Sequence, residues 1–266
     1  MPTLLLSPRY TDDSRALRLA AEQAGWQVFR LANWRPPARP LTGEIVLYGE
    51  PLLVDIMASA LDLVVLDAPP DWLARLPERY TRRTITYTTL AEARTLATPR
   101  FVKPALSKSF PAGVYTMNAE IPRGSDDMPG DTPVLVADPV HWSIEFRCFV
   151  LDRQIATMSP YLRDGELVED EQGQWIASEE EWREARAYGE QLLADPNFDL
   201  PPAIVLDIGL IASAGWAVIE TNGAWGAGLY GCDPASVLPV LRCATSRATP
   251  GAQAQPWARP RVEVEY

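Results

Sequence analysis

Near the C-terminal end of the chain an almost wholly apolar stretch carries one acid in its middle. It runs Ala-Ile-Val-Leu-Asp-Ile-Gly-Leu-Ile-Ala from Ala203 to Ala212, with Asp207 the single charge. A Ser213-Ala214-Gly215 turn follows, and then Trp216–Thr221, so the pattern predicts a hairpin of two apolar strands. If its strands pair about the Ser213–Ala214 step of that turn, Asp207 and Glu220 face each other, and Asn222, two residues on, shares the face of Glu220. Directly opposed residues of an antiparallel pair have Cβ atoms about 5 Å apart. Two carboxylates that close repel unless a cation lies between them or one takes a proton. Three oxygen donors without His or Cys favour Mg²⁺, which keeps several waters and commonly bridges to phosphates. A solvated hairpin face that merely carries acids is the competing reading, and the flanking Ile204, Val205, Leu206, Ile208, Leu210, Val218 and Ile219 argue against it.

The chain has 266 residues, enough for one large domain or two small ones. Its net charge of −11 offers no basic field to a nucleic-acid backbone, although a local basic pocket for a small anion is compatible with it. Three cysteines, Cys148, Cys232 and Cys243, form no CxxC pair and read as reduced thiols. His141 is the only histidine, and Asp138-Pro139-Val140-His141-Trp142 gives it no evident partner, so His-based zinc sites and Ser-His-Asp triads have no support. The N-terminus lacks the basic region of a signal peptide, and no run approaches a membrane span. The expectation is a soluble cytoplasmic protein, without nucleic-acid or membrane partners.

Strands are expected at Thr3–Ser7, Trp26–Leu31, Ile45–Tyr48 and Leu63–Leu66, and helices at Asp12–Ala24 and Leu52–Ala60. That alternation predicts a small parallel α/β unit over about the first 90 residues. No GxGxxG or Walker sequence follows these strands, so they give no reason to expect a dinucleotide or P-loop site. From Arg100 the pattern changes to antiparallel-rich α+β. Strands are expected at Arg100–Pro104, Gly113–Asn118, Val134–Ala137, Glu145–Leu151 and Gln154–Tyr161. A capping box at Ser178-Glu-Glu-Glu181 opens a helix over Glu179–Ala194, and a short helix enters near Asp233. After about Ala244 the composition, rich in Pro, Ala, Arg and Gln, predicts a tail that is disordered or pinned only by contacts.

Candidate site residues lie along this second part. Lys103 closes an apolar strand in Phe-Val-Lys-Pro, where an ammonium would project toward a cleft and suit a phosphate. Lys108 sits five residues on, in a loop that could close over a ligand. Glu145 and Arg147 share one strand face, either as a surface ion pair or lining a cleft, the guanidinium then forked onto phosphate oxygens. Arg163 is a second candidate anion ligand, beside the Asp164-Gly165 turn.

Taken together, the lysine strand, glycine loop, apolar strand, Glu/Arg strand and Asp…Glu-x-Asn hairpin resemble the ATP-grasp superfamily. The likeness covers about residues 100–241, and the N-terminal unit by architecture only. It is nearest to a small branch found in bacteria and phages, with similar F-V-K-P-x-x-x-K-x-F, E-x-R-C-F-V and E-x-N-x-A-W-G-A-G-L-Y-G stretches. The resemblance implies a fold of class α/β plus α+β: a pre-ATP-grasp-like parallel domain over 1–95, a two-lobed ATP-grasp domain over 96–243 and a Pro-rich tail over 244–266. It implies ATP and Mg²⁺ as cofactors, with Asp207, Glu220 and Asn222 holding the metal and Lys103 contacting phosphate. It places adenine against the backbone of Val134, Leu135, Val136, Ala137 and Asp138, ribose against Glu145 and the terminal phosphate near Arg147. Many members carry a second lysine just before that hinge. Met128–Val136 has none, which leaves Lys108 as the candidate replacement. The implied activity is a carboxylate–amine ligase working through an acyl phosphate, peptides and proteins being among the substrates it allows. Arg147 and Arg163 would steady the phosphates, and Trp225 and Tyr230 would border the acceptor. The same cleft could instead serve a phosphotransferase, or a nucleotide-binding assembly factor acting on a partner protein without ligase turnover.

Overall fold

The computed structural model describes residues 1–38, 41–106, 109–116, 121, 128–247 and 256–261. The expected strand end at Asn118, the residue Lys108 and most of the tail lie outside them. The described elements fall into two compact units: residues 1–68, 144–208 and 220–266 form the first, and 69–143 with 209–219 the second.

The first unit opens on β1 (Pro2–Leu6), α1 (Asp12–Gln23), β2 (Gln27–Arg30), β3 (Glu44–Tyr48), α2 (Pro51–Ala60) and β4 (Leu63–Val65). The three strands β2-β1-β3 are parallel, with Leu5 opposite both Phe29 and Leu47. Near-continuous apolar sequence in β1 and β3 follows from burial on both faces. Helix α1 is capped by Thr11, which forms a reciprocal box with Ser14, and the chain leaves it through Gly25 at φ +75°. Where the alternating pattern suggests a fourth parallel strand, β4 instead pairs antiparallel with residues 245–247, about 180 residues away. That partner belongs to the segment expected as a tail.

In the second unit the chain forms α3 (Trp72–Arg75), α4 (Glu78–Thr81), β5 (Ile85–Thr89), α5 (Leu90–Ala93), β6 (Arg100–Pro104), β7 (Gly113–Tyr115) and β8 (Pro133–Ala137). Its sheet has the order β5-β8-β6-β7, antiparallel throughout. Val102, Val134 and Val136 pack with Leu90, Ala93, Phe110 and Ile121 under it.

The chain continues through β9 (Trp142–Leu151), β10 (Gln154–Arg163), β11 (Glu166–Leu167), α6 (Glu179–Ala194), β12 (Ala203–Ile211), β13 (Gly215–Asn222), α7 (Pro234–Ala244) and β14 (Thr245–Arg247). A five-stranded sheet takes the order β11-β10-β9-β12-β13. The expected hairpin and the α6 helix with its Ser178/Glu181 capping box are both present. The main core of the first unit gathers Leu4–Leu6, Leu17, Val46, Leu53 and Met57 with Phe149, Val205, Trp225, Val237 and Leu241. Arg259 fastens the chain after β14 to this body. It forks onto Asp55 at 2.7 and 3.2 Å, reaches Asp67 at 3.0 Å and lies 5.0 Å over the ring of Trp225.

Candidate active site

Strand β9 alternates, so Glu145 and Arg147 leave one face while Phe146 leaves the other and meets Trp182 of α6 edge-on at 5.2 Å. Neither charged residue is a surface pair: both are buried. Arg147 reaches the acid of the neighbouring strand β12. Its Nε donates to Asp207 Oδ1 at 3.0 Å and its Nη2 to Oδ2 at 2.7 Å, a fork on a carboxylate that is 0% exposed. A third nitrogen, Nη1, donates to the Gly228 carbonyl at 3.0 Å. Burial by itself would lower the Arg147 pKa, but the charge and hydrogen bonds of Asp207 outweigh it and raise it, so the guanidinium stays charged.

The hairpin closes the group. Asn222 Nδ2 donates to Asp207 Oδ2 at 3.2 Å and to Glu220 Oε1 at 3.1 Å, so one amide holds both acids. The acids expected to face each other are thus a single amide apart, and the cation beside Asp207 is Arg147. An amide turned end for end presents its oxygen where the nitrogen stands. Asp207, Glu220 and Asn222 are therefore a donor set of the right chemistry for a hard divalent cation, with Asp207 shared with the guanidinium.

Aromatic side chains wall this group. Strand β10 slips register between Pro160 and Leu162 against β9, and the extra residue of that bulge is Tyr161. Its hydroxyl donates to Glu145 Oε2 at 2.6 Å. Burial raises the Glu145 pKa, with Asp207 and Glu220 adding to the shift and Tyr161 and Arg147 opposing it. Tyr161 stacks on Tyr230 with centroids 5.0 Å apart, and Trp175 meets Tyr230 edge-on at 5.3 Å. The Arg147 guanidinium lies 4.8 Å from the Tyr230 ring and 5.3 Å from that of Tyr161. Tyr230 holds φ +49°, a conformation uncommon for a bulky residue.

Other expected site residues have different settings. Arg163 forks onto Glu181 in the first turn of α6 at 2.8 and 3.0 Å, which lowers the Glu181 pKa to about 2. Its guanidinium is thus engaged by α6 and not by the acids around Arg147. Trp225, expected beside an acceptor, is core: it is buried and its indole N–H donates to the Leu66 carbonyl at 2.9 Å. Lys103 stands on β6 in the second unit, opposite Leu135 of β8. The hinge needs a correction. Val134, Leu135, Val136 and Ala137 form the strand between β5 and β6, paired on both edges, so their backbone groups are taken by the ladders. Ala137 is the last pair on either side. Asp138 N–H donates to the Thr84 carbonyl, so the Asp138 carbonyl is the first acceptor beyond the ladder.

A family model for an ATP-grasp domain, the second family of its clade, matches residues 80–240, more than half of the chain. The chain belongs to this ATP-grasp family. The match spans Lys103, β8, the Glu145/Arg147 strand and the Asp207–Asn222 hairpin. Solved structures agree on the fold. D-cycloserine synthetase DcsG superposes with a TM-score of 0.52 at 14% identity, over 92% of this chain and 97% of that one. D-alanine--D-alanine ligase from Bacillus anthracis superposes with a TM-score of 0.50 at 10% identity, over 84% of this chain and 86% of that one. A search of curated proteins found no significant match. Within this ATP-grasp chain, sequence reasoning passed over Tyr161, Tyr48 and Asp13. A register slip aims the first, and the other two lie in the N-terminal unit, where Asp13 reads only as a helix-opening charge.

Proposed function

We propose that the chain is an ATP- and Mg²⁺-dependent ligase that activates a carboxylate as an acyl phosphate for attack by an amine, peptides and proteins included among its substrates. The observation that carries this reading is the Asp207–Asn222–Glu220 trio with Arg147 forked onto its buried acid. Asp207, Glu220 and Asn222 would hold Mg²⁺, which when bound offsets negative charge on the phosphates. Lys103, and Lys108 outside the described residues, would contact phosphate as point charges. The Asp138 carbonyl is the proposed adenine acceptor, in place of the paired Val134–Ala137 backbone, and Glu145 the ribose acceptor.

Arg147 is the principal residue of the mechanism. Its hydrogen bonds to Asp207 and Gly228 and the rings of Tyr161 and Tyr230 fix the guanidinium. A charge so held costs little reorganisation as negative charge develops on the transferring phosphoryl group. Arg163 would serve an anion only after leaving Glu181. Attack by the amine forms the C–N bond as the C–O bond to phosphate breaks, and no enzyme nucleophile is required. This agrees with thiols that burial keeps protonated: the Cys148 pKa is raised and that of Cys232 stands at about 12. The test is product analysis after incubating the protein with Mg-ATP and mixed acid and amine pools. The expected products are ADP, phosphate and an amide; a phosphorylated compound without phosphate release would contradict the ligase reading in favour of phosphotransfer.

A further inference from the structure

Ligands of parallel sheets gather beyond the carboxyl ends of the strands, and in the first unit that edge is built around Asp13. Helix α1 starts soon after β1, which puts Asp13 in its first turn, and Tyr48 ends the neighbouring strand β3. The segment 223–232 lies along the same edge. The Gly49 N–H donates to the Trp225 carbonyl at 2.9 Å, and the Tyr48 hydroxyl donates to the Ala227 carbonyl at 3.0 Å. The Leu229 N–H donates to Asp13 Oδ2 at 3.2 Å, with the Tyr48 hydroxyl 3.4 Å from the same oxygen.

Between Asp13 and Arg147 lies Gly228, and its missing side chain leaves a gap there about the size of a methyl or ammonium group. A Cβ there would stand 3.5 Å from Asp13 Oδ2, 3.6 Å from the Tyr230 ring and 3.7 Å from Arg147 Nη1, with nothing nearer. The notch is thus lined by a carboxylate, a guanidinium and an aromatic edge at ordinary contact distance. Asp13 is half-buried, and its Oδ1 has no hydrogen-bond partner among the described residues. An oxygen so placed takes a donor, and a cationic donor makes the stronger bond. Arg147 on the opposite wall favours an anion, so a ligand bridging the notch carries a primary amine next to a negatively charged group.

Resting on the ligase reading above, we infer that Asp13 binds the acceptor amine of the reaction, holding it over Gly228 beside the guanidinium that faces the phosphoryl group. Asp13 is then a substrate-binding residue supplied by the N-terminal part of the chain, and the acceptor class is a primary amine. Burial, opposed by the Leu229 and Tyr48 bonds and by Arg147, raises the Asp13 pKa, consistent with a carboxylate that gains from a cationic partner.

The probe is glycinamide, an amine without a carboxylate, against acetamide, which lacks the amine. Each is titrated into the full-length protein while the backbone amides of Gly228 and Leu229 are followed by NMR. Glycinamide should shift both saturably with an affinity on the order of millimolar, and acetamide should not. Asp13→Asn, whose amide oxygen still accepts the Leu229 N–H, should weaken glycinamide about tenfold or more. Gly228→Ala should block it by filling the notch, which keeps the test decisive if the first variant folds poorly. Wild-type protein that shows no saturable shift, or variants that bind glycinamide as well as wild type, would overturn the inference. Calorimetry with Mg²⁺ and a non-hydrolysable ATP analogue on the same samples separates the two readings. Nucleotide binding without a glycinamide shift removes Asp13 and leaves the ligase, whereas absent nucleotide binding counts against the ligase whatever glycinamide does.

Discussion

At the scale of single residues, the site is a set of buried charges that are paired but not neutralised one for one. Arg147 answers Asp207, while Glu145, among the described residues, takes a hydrogen bond from the Tyr161 hydroxyl and has Asp207 and Glu220 as well as Arg147 nearby. Its raised pKa means that folding favours its protonated form. That contribution is fully present below the unfolded carboxyl value of about 4.3 and is lost as pH rises through the folded one. Glu145→Gln carries no charge at any pH and its oxygen can still accept from Tyr161. In metal-free buffer its melting temperature should match wild type near pH 4 and exceed it at pH 8. A variant less stable than wild type at pH 8 would show that the carboxylate is stabilising. Sequence alone placed Glu145 and Arg147 on one face, because strand alternation is local. It left open whether the two formed a surface pair, because the partner of Arg147 is 60 residues away.

At the scale of elements, hydrophobic runs and caps were legible and irregularities were not. Strands β1, β3 and β6 and helix α6 follow from apolar patterning and capping chemistry that any short window contains. Strand β5, Ile85–Thr89, has one aliphatic residue among threonines and a tyrosine, so its pairing with β8 supplies what its pattern lacks. The bulge that aims Tyr161 and the turn that places Tyr230 at positive φ are set by tertiary contacts. The segment 223–232 depends on close approaches at its glycines: a Cβ on Gly231 would run into the Trp175 indole and the Ser159 hydroxyl. Gly231→Ala should therefore displace Trp175 from Tyr230, cost about 1–3 kcal/mol in chemical denaturation and change the tryptophan fluorescence. Unaltered stability and emission would mean that Trp175 does not pack there.

At the scale of the whole molecule, the fold class and family were readable because motifs spread over 100–241 occur together, while long-range closure was hidden. The expected tail supplies β14 as partner to β4, and Arg259 forks onto Asp55 and reaches Asp67. Burial raises the Asp67 pKa even with Arg259 opposing it, so removing the guanidinium leaves a largely buried acid without its cation, held by the Ala68 N–H. Arg259→Ala should lower stability by about 2 kcal/mol, less than the loss of a fully buried pair because Arg259 is partly exposed. Denaturation at the wild-type midpoint would show that the clamp contributes nothing.

If the Asp207–Asn222–Glu220 hairpin binds the metal of a nucleotide site, one calorimetric comparison reveals it. A non-hydrolysable ATP analogue is titrated into wild type and Glu220→Gln, with and without Mg²⁺. Glu220 is only half-buried and its loss leaves the Arg147–Asp207 pair intact, so the variant should fold. Wild type should bind in a Mg²⁺-dependent way, and Glu220→Gln should lose about tenfold or more in affinity. Equal Mg²⁺-dependent affinity in the two proteins would contradict a metal site on the hairpin.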